Sequence, residues 1–332
     1  MASVCCLGEI LLDCIADQAG LPLDRVESWT SYPGGAPANV ACALVKLGTP
    51  AGFIGCVGQD DAGSLLVQLL DSIGVDTTAV QRHATAPTRS VMVVRSQSGD
   101  RQFAAFRDNI DTSTFADAQL NATAIPLDWL TTADYLVTGT LGLAEPNSAA
   151  AIIHAVEAMQ QANRRIFVDV NWRPVFWKDD SFAPTLIVDL IDRADYLKLT
   201  DEEADWLLQT QDLQVIADRF PNLQAILMTA GEKGCTYWIR GHAGQVPAFA
   251  IEVMDTTGAG DSFTAGFLHQ LCQLGDAVLD NAEIAHQMVV YASAVGALTT
   301  TRAGAIAAQP TAAEVDAFLH LTERMNGHGT GD

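Results

Sequence analysis

Gly258, Ala259, Gly260 and Asp261 place three small residues and a carboxylate at the start of an apolar helix, within "VMDTTGAGDSFTAGFL" (253–268). Phe263, Gly266, Phe267 and Leu271 recur at three–four spacing, which marks one buried stripe. Two chemistries fit. Asp is a favoured N-cap and Gly a favoured turn residue, so Asp261 could simply begin the helix. Alternatively, the bare amides of 258–261 and the positive end of the helix dipole form a phosphate cradle that needs no lysine. A carboxylate inside such a cradle is costly, and accepting a proton from an attacking hydroxyl would justify it. These residues alone leave both open.

The elements that must position them follow from periodicity. "SVCCLGEILLDCIA" (3–16) reads as a buried apolar strand interrupted by Gly8, Glu9 and Asp13. Residues 37–47 read as a helix with Pro at its start and Gly48 past its end. "AGFIGCVG" is a short strand, and "DDAGSLLVQLLDSIG" is a helix ending at Gly74. Residues 88–107 read as a β-hairpin around a Ser-Gly-Asp turn. "ADYLVTG", "RIFVDVN", "ADYLKLT" and "LQAILMT" are strands separated by helical stretches, and helices close the chain near 261–274, 281–298 and 311–325. Such alternation predicts an α/β domain with a mainly parallel sheet covered on both faces. Ligands of such sheets bind at the carboxyl ends of the strands, which singles out Asp13, Gly139, Asn171, Thr200 and Thr229. One domain over 1–325 is expected, with a small β-lid from about 15–33 and 85–110 and a flexible tail at 326–332.

Composition narrows the partners. The 332 residues are 49% hydrophobic, enough for a substantial core. Eighteen Lys and Arg against 40 Asp and Glu give a net charge of −22, which disfavours nucleic acid and anionic membrane surfaces. An anionic substrate would then be held by backbone amides, a metal ion and a few arginines. Seven cysteines without CxxC spacing suggest reduced thiols, and with the first basic residue at Arg25 a cytoplasmic location without a secretory leader is expected. No P-loop, GxGxxG, kinase HRD or DFG, HExxH or GxSxG element is present.

Five stretches in order resemble the ribokinase/PfkB family of carbohydrate kinases: "GGAPANVACALVKLG" (34–48), "LKLTDEEADWL" (197–207), "MTAGEKGC" (228–235), "DTTGAGDSFTAGF" (255–267) and "ALTTTRAGA" (297–305). The resemblance implies a ribokinase-like three-layer α/β/α sandwich with a β-lid and an ATP- and Mg2+-dependent sugar kinase. It makes Asp261 the general base, with the amides of Gly258, Ala259, Gly260 and Asp261 as the anion hole. Glu203 matches the acid of an NxxE element that helps position magnesium through water, and Thr200 stands where the family has Asn. Thr200, Thr229, Gly231, Gly234 and Ser293 would line the ATP site. Asp255, Thr257, Thr299, Arg302 and Gly304 fall where some members hold potassium. Asp13, Gly34, Gly35 and Asn39 would meet the sugar, joined by Arg107 and Arg173.

"GGAPAN" resembles fructokinases more than ribokinases, and "DVNWRPVFW" (169–177) is similar to both fructokinases and 2-keto-3-deoxygluconate kinases. The resemblance thus implies D-fructose as acceptor and fructose 6-phosphate as product. The alternatives are 2-keto-3-deoxygluconate, another sugar or nucleoside, or a sugar-sensing kinase-like protein without catalysis. An apolar lid edge needs cover, so a homodimer is expected.

Overall fold

The computed structural model describes residues 2–95, 101–106 and 111–327. Its N-terminal strands are β1 (Val4–Leu7), β2 (Leu11–Ala16), β3 (Trp29–Gly34), β4 (Ala51–Gly58), β5 (Val80–His83), β6 (Ser90–Arg95) and β7 (Arg101–Phe106). There follow β8 (Tyr135–Thr138), β9 (Arg165–Asp169), β10 (Tyr196–Thr200), β11 (Ala225–Thr229), β12 (Cys235–Ile239) and β13 (His242–Val246). Helices α1 (Ala36–Lys46), α2 (Asp61–Ile73), α3 (Leu127–Leu130), α4 (Pro146–Gln161), α5 (Ala183–Ile191) and α6 (Asp201–Leu208) alternate with them. The others are α7 (Leu213–Arg219), α8 (Ala259–Leu274), α9 (Ala282–Thr299), α10 (Ala305–Ala308) and α11 (Ala312–Gly327).

Nine strands form the central sheet in the order β13-β12-β11-β10-β9-β8-β1-β4-β5. Every pairing is parallel except β11 with β12 and β12 with β13. Alternation divides the core between the two faces, as the period of two requires. Val4 and Cys6 pack with α1, α8 and α9, while Cys5 and Leu7 pack with α4 and α5. The chain leaves β1 to one side for β4 and to the other for β8, so the order reverses there and opens a crevice at the strand ends. This is the ribokinase-like α/β/α arrangement.

The apolar run at 3–16 is two strands rather than one. Gly8 keeps β1 in register by donating to the Ile54 carbonyl at 2.9 Å, and Leu12 already donates to the Arg89 carbonyl at 3.1 Å in a second sheet. Glu9 makes the crossing tolerable in the interior, because its carboxylate accepts the Ala36 N–H at 3.0 Å and so caps α1. The second sheet has the order β3-β2-β6-β7. It begins at Leu11 rather than near residue 15. The β6–β7 pair is antiparallel, as the 88–107 hairpin requires, with the Ser-Gly-Asp turn outside the described residues. The hairpin β12–β13 and the short strand β5 carry no expectation from periodicity and extend the sheet at its two edges.

All seven cysteines are free and six are buried. Among the described residues no helix is long and apolar enough to cross a membrane.

Candidate active site

Helix α8 begins two residues before the carboxylate. Gly258 is its N-cap, with φ +77°, and Asp261 is the third helical residue. Asp261 therefore does not cap the helix, which removes the simpler of the two chemistries. Ser262 donates to the Gly258 carbonyl at 2.9 Å, the first full-turn bond, and Ala259 donates to Thr256 at 3.2 Å. The N–H groups of Gly258, Gly260 and Asp261 have no acceptor among the described residues, so only the Ala259 amide is withdrawn from the cradle. A Cβ on Gly258 would stand 2.9 Å from Ala305 Cβ, and one on Gly260 would stand 3.1 Å from Lys198 Nζ. Both glycines thus hold α8 close to its neighbours as well as leaving the amides bare.

Asn39 on α1 donates to Asp261 Oδ2 at 2.7 Å, joining two stretches 222 residues apart. Its position is set by a tight entry into α1. Gly35 has φ +107°, and a Cβ there would lie 2.5 Å from the Glu9 carbonyl. Gly34 is packed as closely on the other side, where a Cβ would meet Asp13 Oδ2 at 2.6 Å. Contacts therefore run from Asp13 through Gly34 and Gly35 to Asn39 and Asp261. Burial pushes the Asp261 carboxyl above its ordinary value, opposed by the Asn39 hydrogen bond and the Lys198 and Arg173 charges.

The loop after β9 completes this side. Asn171 takes a left-handed φ of 39°, which turns the chain so that the Trp172 N–H reaches Glu203 Oε1 at 2.6 Å. Trp172 stacks on Trp206 of α6 at 4.2 Å. Arg173 follows; its guanidinium donates to the Trp172 carbonyl at 2.9 Å. Glu203 and Thr200 form a capping box, with Thr200 N–H to Glu203 Oε2 at 2.8 Å and Glu203 N–H to Thr200 Oγ1 at 3.1 Å. Both Glu203 oxygens thus already accept backbone N–H groups. Each oxygen keeps a remaining lone pair, which could meet a metal ion through a bridging water. Among the described residues no group of three or more His, Cys, Asp or Glu could hold a metal ion.

On the other flank, Thr200 and Thr229 are register partners at the ends of β10 and β11. The turn after β11 closes through Ala230 N–H to the Gly234 carbonyl at 2.8 Å. A Cβ on Gly234 would collide with the Val246 carbonyl. Ser293 lies on α9 with its Oγ buried and without a hydrogen-bond partner among the described residues. Asp255 clamps two loops. Its Oδ1 accepts from Thr257 Oγ1 at 2.6 Å and Thr257 N–H at 3.1 Å, and its Oδ2 accepts from Gly304 N–H at 2.9 Å. Thr299 donates its hydroxyl to Val295, and the Arg302 side chain turns outward to Glu314. Arg107 lies outside the described residues.

Three groups escape a reading of the sequence. Lys198, on β10 between the inward Leu197 and Leu199, points to the α8 face and donates to Asp169 Oδ1 at 3.0 Å; both are buried. Thr264 of α8 holds the other Asp169 oxygen at 3.1 Å. A lysine inside an apolar strand was the available signal; its partner lies 29 residues away. Burial pushes Asp169 up to about 6, against Lys198 and with Glu203 and Asp261. Glu9 is the third, pushed up to about 7 chiefly by burial. A carboxyl whose folded pKa is raised loses stability as pH climbs from its unfolded value toward the folded one. Glu9→Gln keeps an acceptor for Ala36. It is expected to stabilise the fold by about 1–3 kcal/mol at pH 8 and to be neutral below about pH 4.5, in urea melts at both pH values.

Residues 1–312 match the family described as pfkB family carbohydrate kinase. Fructokinase-2 of Oryza sativa subsp. japonica is 33% identical over 309 residues, covering 92% of this chain and 90% of the relative. A fructokinase from Xylella fastidiosa with bound ATP has a TM-score of 0.87 at 28% identity, covering 97% of this chain and 100% of that one. A fructokinase double mutant from Vibrio cholerae O395, in its fructose-, ADP- and potassium-bound form, has a TM-score of 0.81 at 26% identity over 96% and 98% of the two chains.

Proposed function

Since the chain belongs to the pfkB family of carbohydrate kinases, we propose that it transfers the γ-phosphate of ATP to D-fructose to give fructose 6-phosphate. One observation carries the site assignment: the 2.7 Å Asn39–Asp261 bond, which joins the first turn of α1 on the sugar side to the helix start that would receive the phosphoryl group. The fructose assignment is supported by the similarity to fructokinases.

Asp13, the Gly34–Gly35 backbone and Asn39 hold the sugar hydroxyls, with Arg173 and Arg107 at the rim. The carbon-6 hydroxyl attacks the γ-phosphorus in line, and Asp261 takes its proton as general base. The amides of Gly258, Ala259, Gly260 and Asp261 receive the charge that develops on the phosphoryl oxygens, that of Ala259 being the one already engaged. Thr200, Thr229, Gly231, Gly234 and Ser293 line the nucleotide. Glu203 would hold magnesium through water, and the ion would supply charge neutralisation for the phosphoryl group. Asp255 fixes Thr257 and the turn at 299–304, whose carbonyls would receive potassium. The small sheet closes over the sugar and keeps water from the γ-phosphate. Its edge strands β3 and β7 are where a second copy would pair in a homodimer.

ADP release from the purified chain, measured with magnesium and either fructose or 2-keto-3-deoxygluconate, tests this directly. A fructose-dependent rate at least about tenfold above that with the acid sugar is expected, in line with discrimination of one polar substituent. Release with the acid sugar alone would overturn the acceptor and retain the kinase. Silence with both sugars, in potassium as well, would favour another acceptor or a sensor.

A further inference from the structure

A buried cation lies directly behind the phosphate cradle. Lys198 is one of two cationic side chains that are nearly inaccessible among the described residues, the other being Arg89. Its Nζ donates to Asp169 at 3.0 Å. The same atom lies where it would be 3.1 Å from a Cβ on Gly260, so the glycine leaves room for the ammonium. Asp169 is anchored one turn further along α8, on Thr264 at 3.1 Å. The cation therefore stands nearer the start of the helix than its counter-ion does. An ammonium has three donors and Asp169 takes one.

We propose that Lys198 is a positioning residue for phosphoryl transfer. Anchored by Asp169, its ammonium adds a fixed positive charge to the Gly258–Asp261 helix start and keeps the Asp261 carboxylate a charged proton acceptor. The inference rests on the kinase function proposed above and adds a part to it. The helix dipole supplies roughly half a charge at this end. A desolvated ammonium supplies a full one, in a setting where charges are weakly screened. The groups facing Asp261 are Asn39 from α1, Lys198 from β10, Arg173 from the loop after β9, Asp169 from β9 and Glu9 from the β1–β2 crossing. Arg173 is exposed and screened by solvent, and Asn39 is neutral. Asp169 and Glu9 act against ionisation. Lys198 is thus the buried charge that, together with the Asn39 hydrogen bond, holds the carboxylate ionised.

Lys198→Met alone would strand Asp169 in the interior, so Lys198→Met with Asp169→Asn is the informative variant. Its thermal melt shows that it folds. The Asp261 carboxyl is then followed by 13C NMR in aspartate-labelled protein without substrate, its resonance assigned with Asp261→Asn. The Asp261 midpoint is expected to lie about one pH unit above that of Asp169→Asn alone, which keeps the ammonium, the scale of losing one close opposite charge. In turnover, kcat is expected to fall about 10²-fold, with KM for ATP and sugar within about threefold. A folded double variant whose Asp261 midpoint matches that of Asp169→Asn, or whose kcat is that of wild type, overturns the proposal. A wild-type chain that phosphorylates no sugar defeats the kinase function instead, while the titration still decides what the Lys198 charge does to Asp261.

Discussion

Replacing Asp261 with Asn is expected to cut sugar-dependent ADP release by about 10³–10⁴-fold while ATP affinity changes by less than about threefold. The substitution is close to isosteric, and the Asn oxygen can still accept the Asn39 N–H that Asp261 Oδ2 takes at 2.7 Å. Helix α8 keeps its start, because Gly258 and not residue 261 is the N-cap. What disappears is a negative proton acceptor at the third helical position, beside amides that would hold the transferred group. Burial has already raised this carboxyl above an ordinary Asp. A somewhat stronger base than an exposed Asp suits a loose transition state, in which the hydroxyl proton leaves late. Steady-state assay and nucleotide titration on the same preparation separate the two effects. A variant that keeps a tenth of wild-type turnover would remove Asp261 from the proton transfer.

The sheet was legible because its signal is local. Strands such as "RIFVDVN" and "LQAILMT" bury both faces, so they read as apolar runs divided by helices, and parallel order follows from the spacing between them. The split of the run at 3–16 was not legible, since Glu9 is at home in the interior only because Ala36, 27 residues on, offers its N–H. The same limit applies to the site. Gly258–Asp261 and Gly34–Asn39 stand out as short motifs, but whether Asp261 caps a helix or faces a ligand depends on where α8 begins. That start is set by packing against Ala305 and Lys198, both distant in sequence. Glu203 shows the converse: its motif points to magnesium, and the fold adds a second task, tying Trp172 to α6. Lys198 and Asp169 sit inside quoted stretches yet gain meaning only when β9 and β10 are paired.

Removing the Asp117 carboxylate is expected to cost the largest share of stability, about 3–5 kcal/mol for Asp117→Ala, because it strands a buried charge. Arg89 is 2% exposed and pairs through Nε with Asp117 Oδ2 at 2.7 Å. Its guanidinium lies 4.6 Å from the centre of the Phe115 ring, 5.3 Å from Phe176 and 5.4 Å from Phe106. Aromatic faces favour a cation by about 1–2 kcal/mol each at best, less than the loss of its counter-ion. The pair is also imperfect: Arg89 Nη1 and Asp117 Oδ1 have no hydrogen-bond partner among the described residues. Desolvation of both charges is therefore only partly offset, and a well-packed apolar pair should do as well. Arg89→Met with Asp117→Leu is accordingly expected to recover most of the stability lost by Asp117→Ala, in urea unfolding at pH 7. If the double variant is as unstable as the single one, the pair is needed for its geometry and not for charge neutrality. That geometry has a functional side. The Arg89 backbone pairs with Leu12 where the inner strands β2 and β6 of the small sheet meet, and its side chain grips the 112–117 segment and Phe176, three residues beyond Arg173. An apolar replacement that restores stability but loosens this anchor should raise the sugar KM more than it lowers kcat, since the small sheet would still close but less often in register with the site.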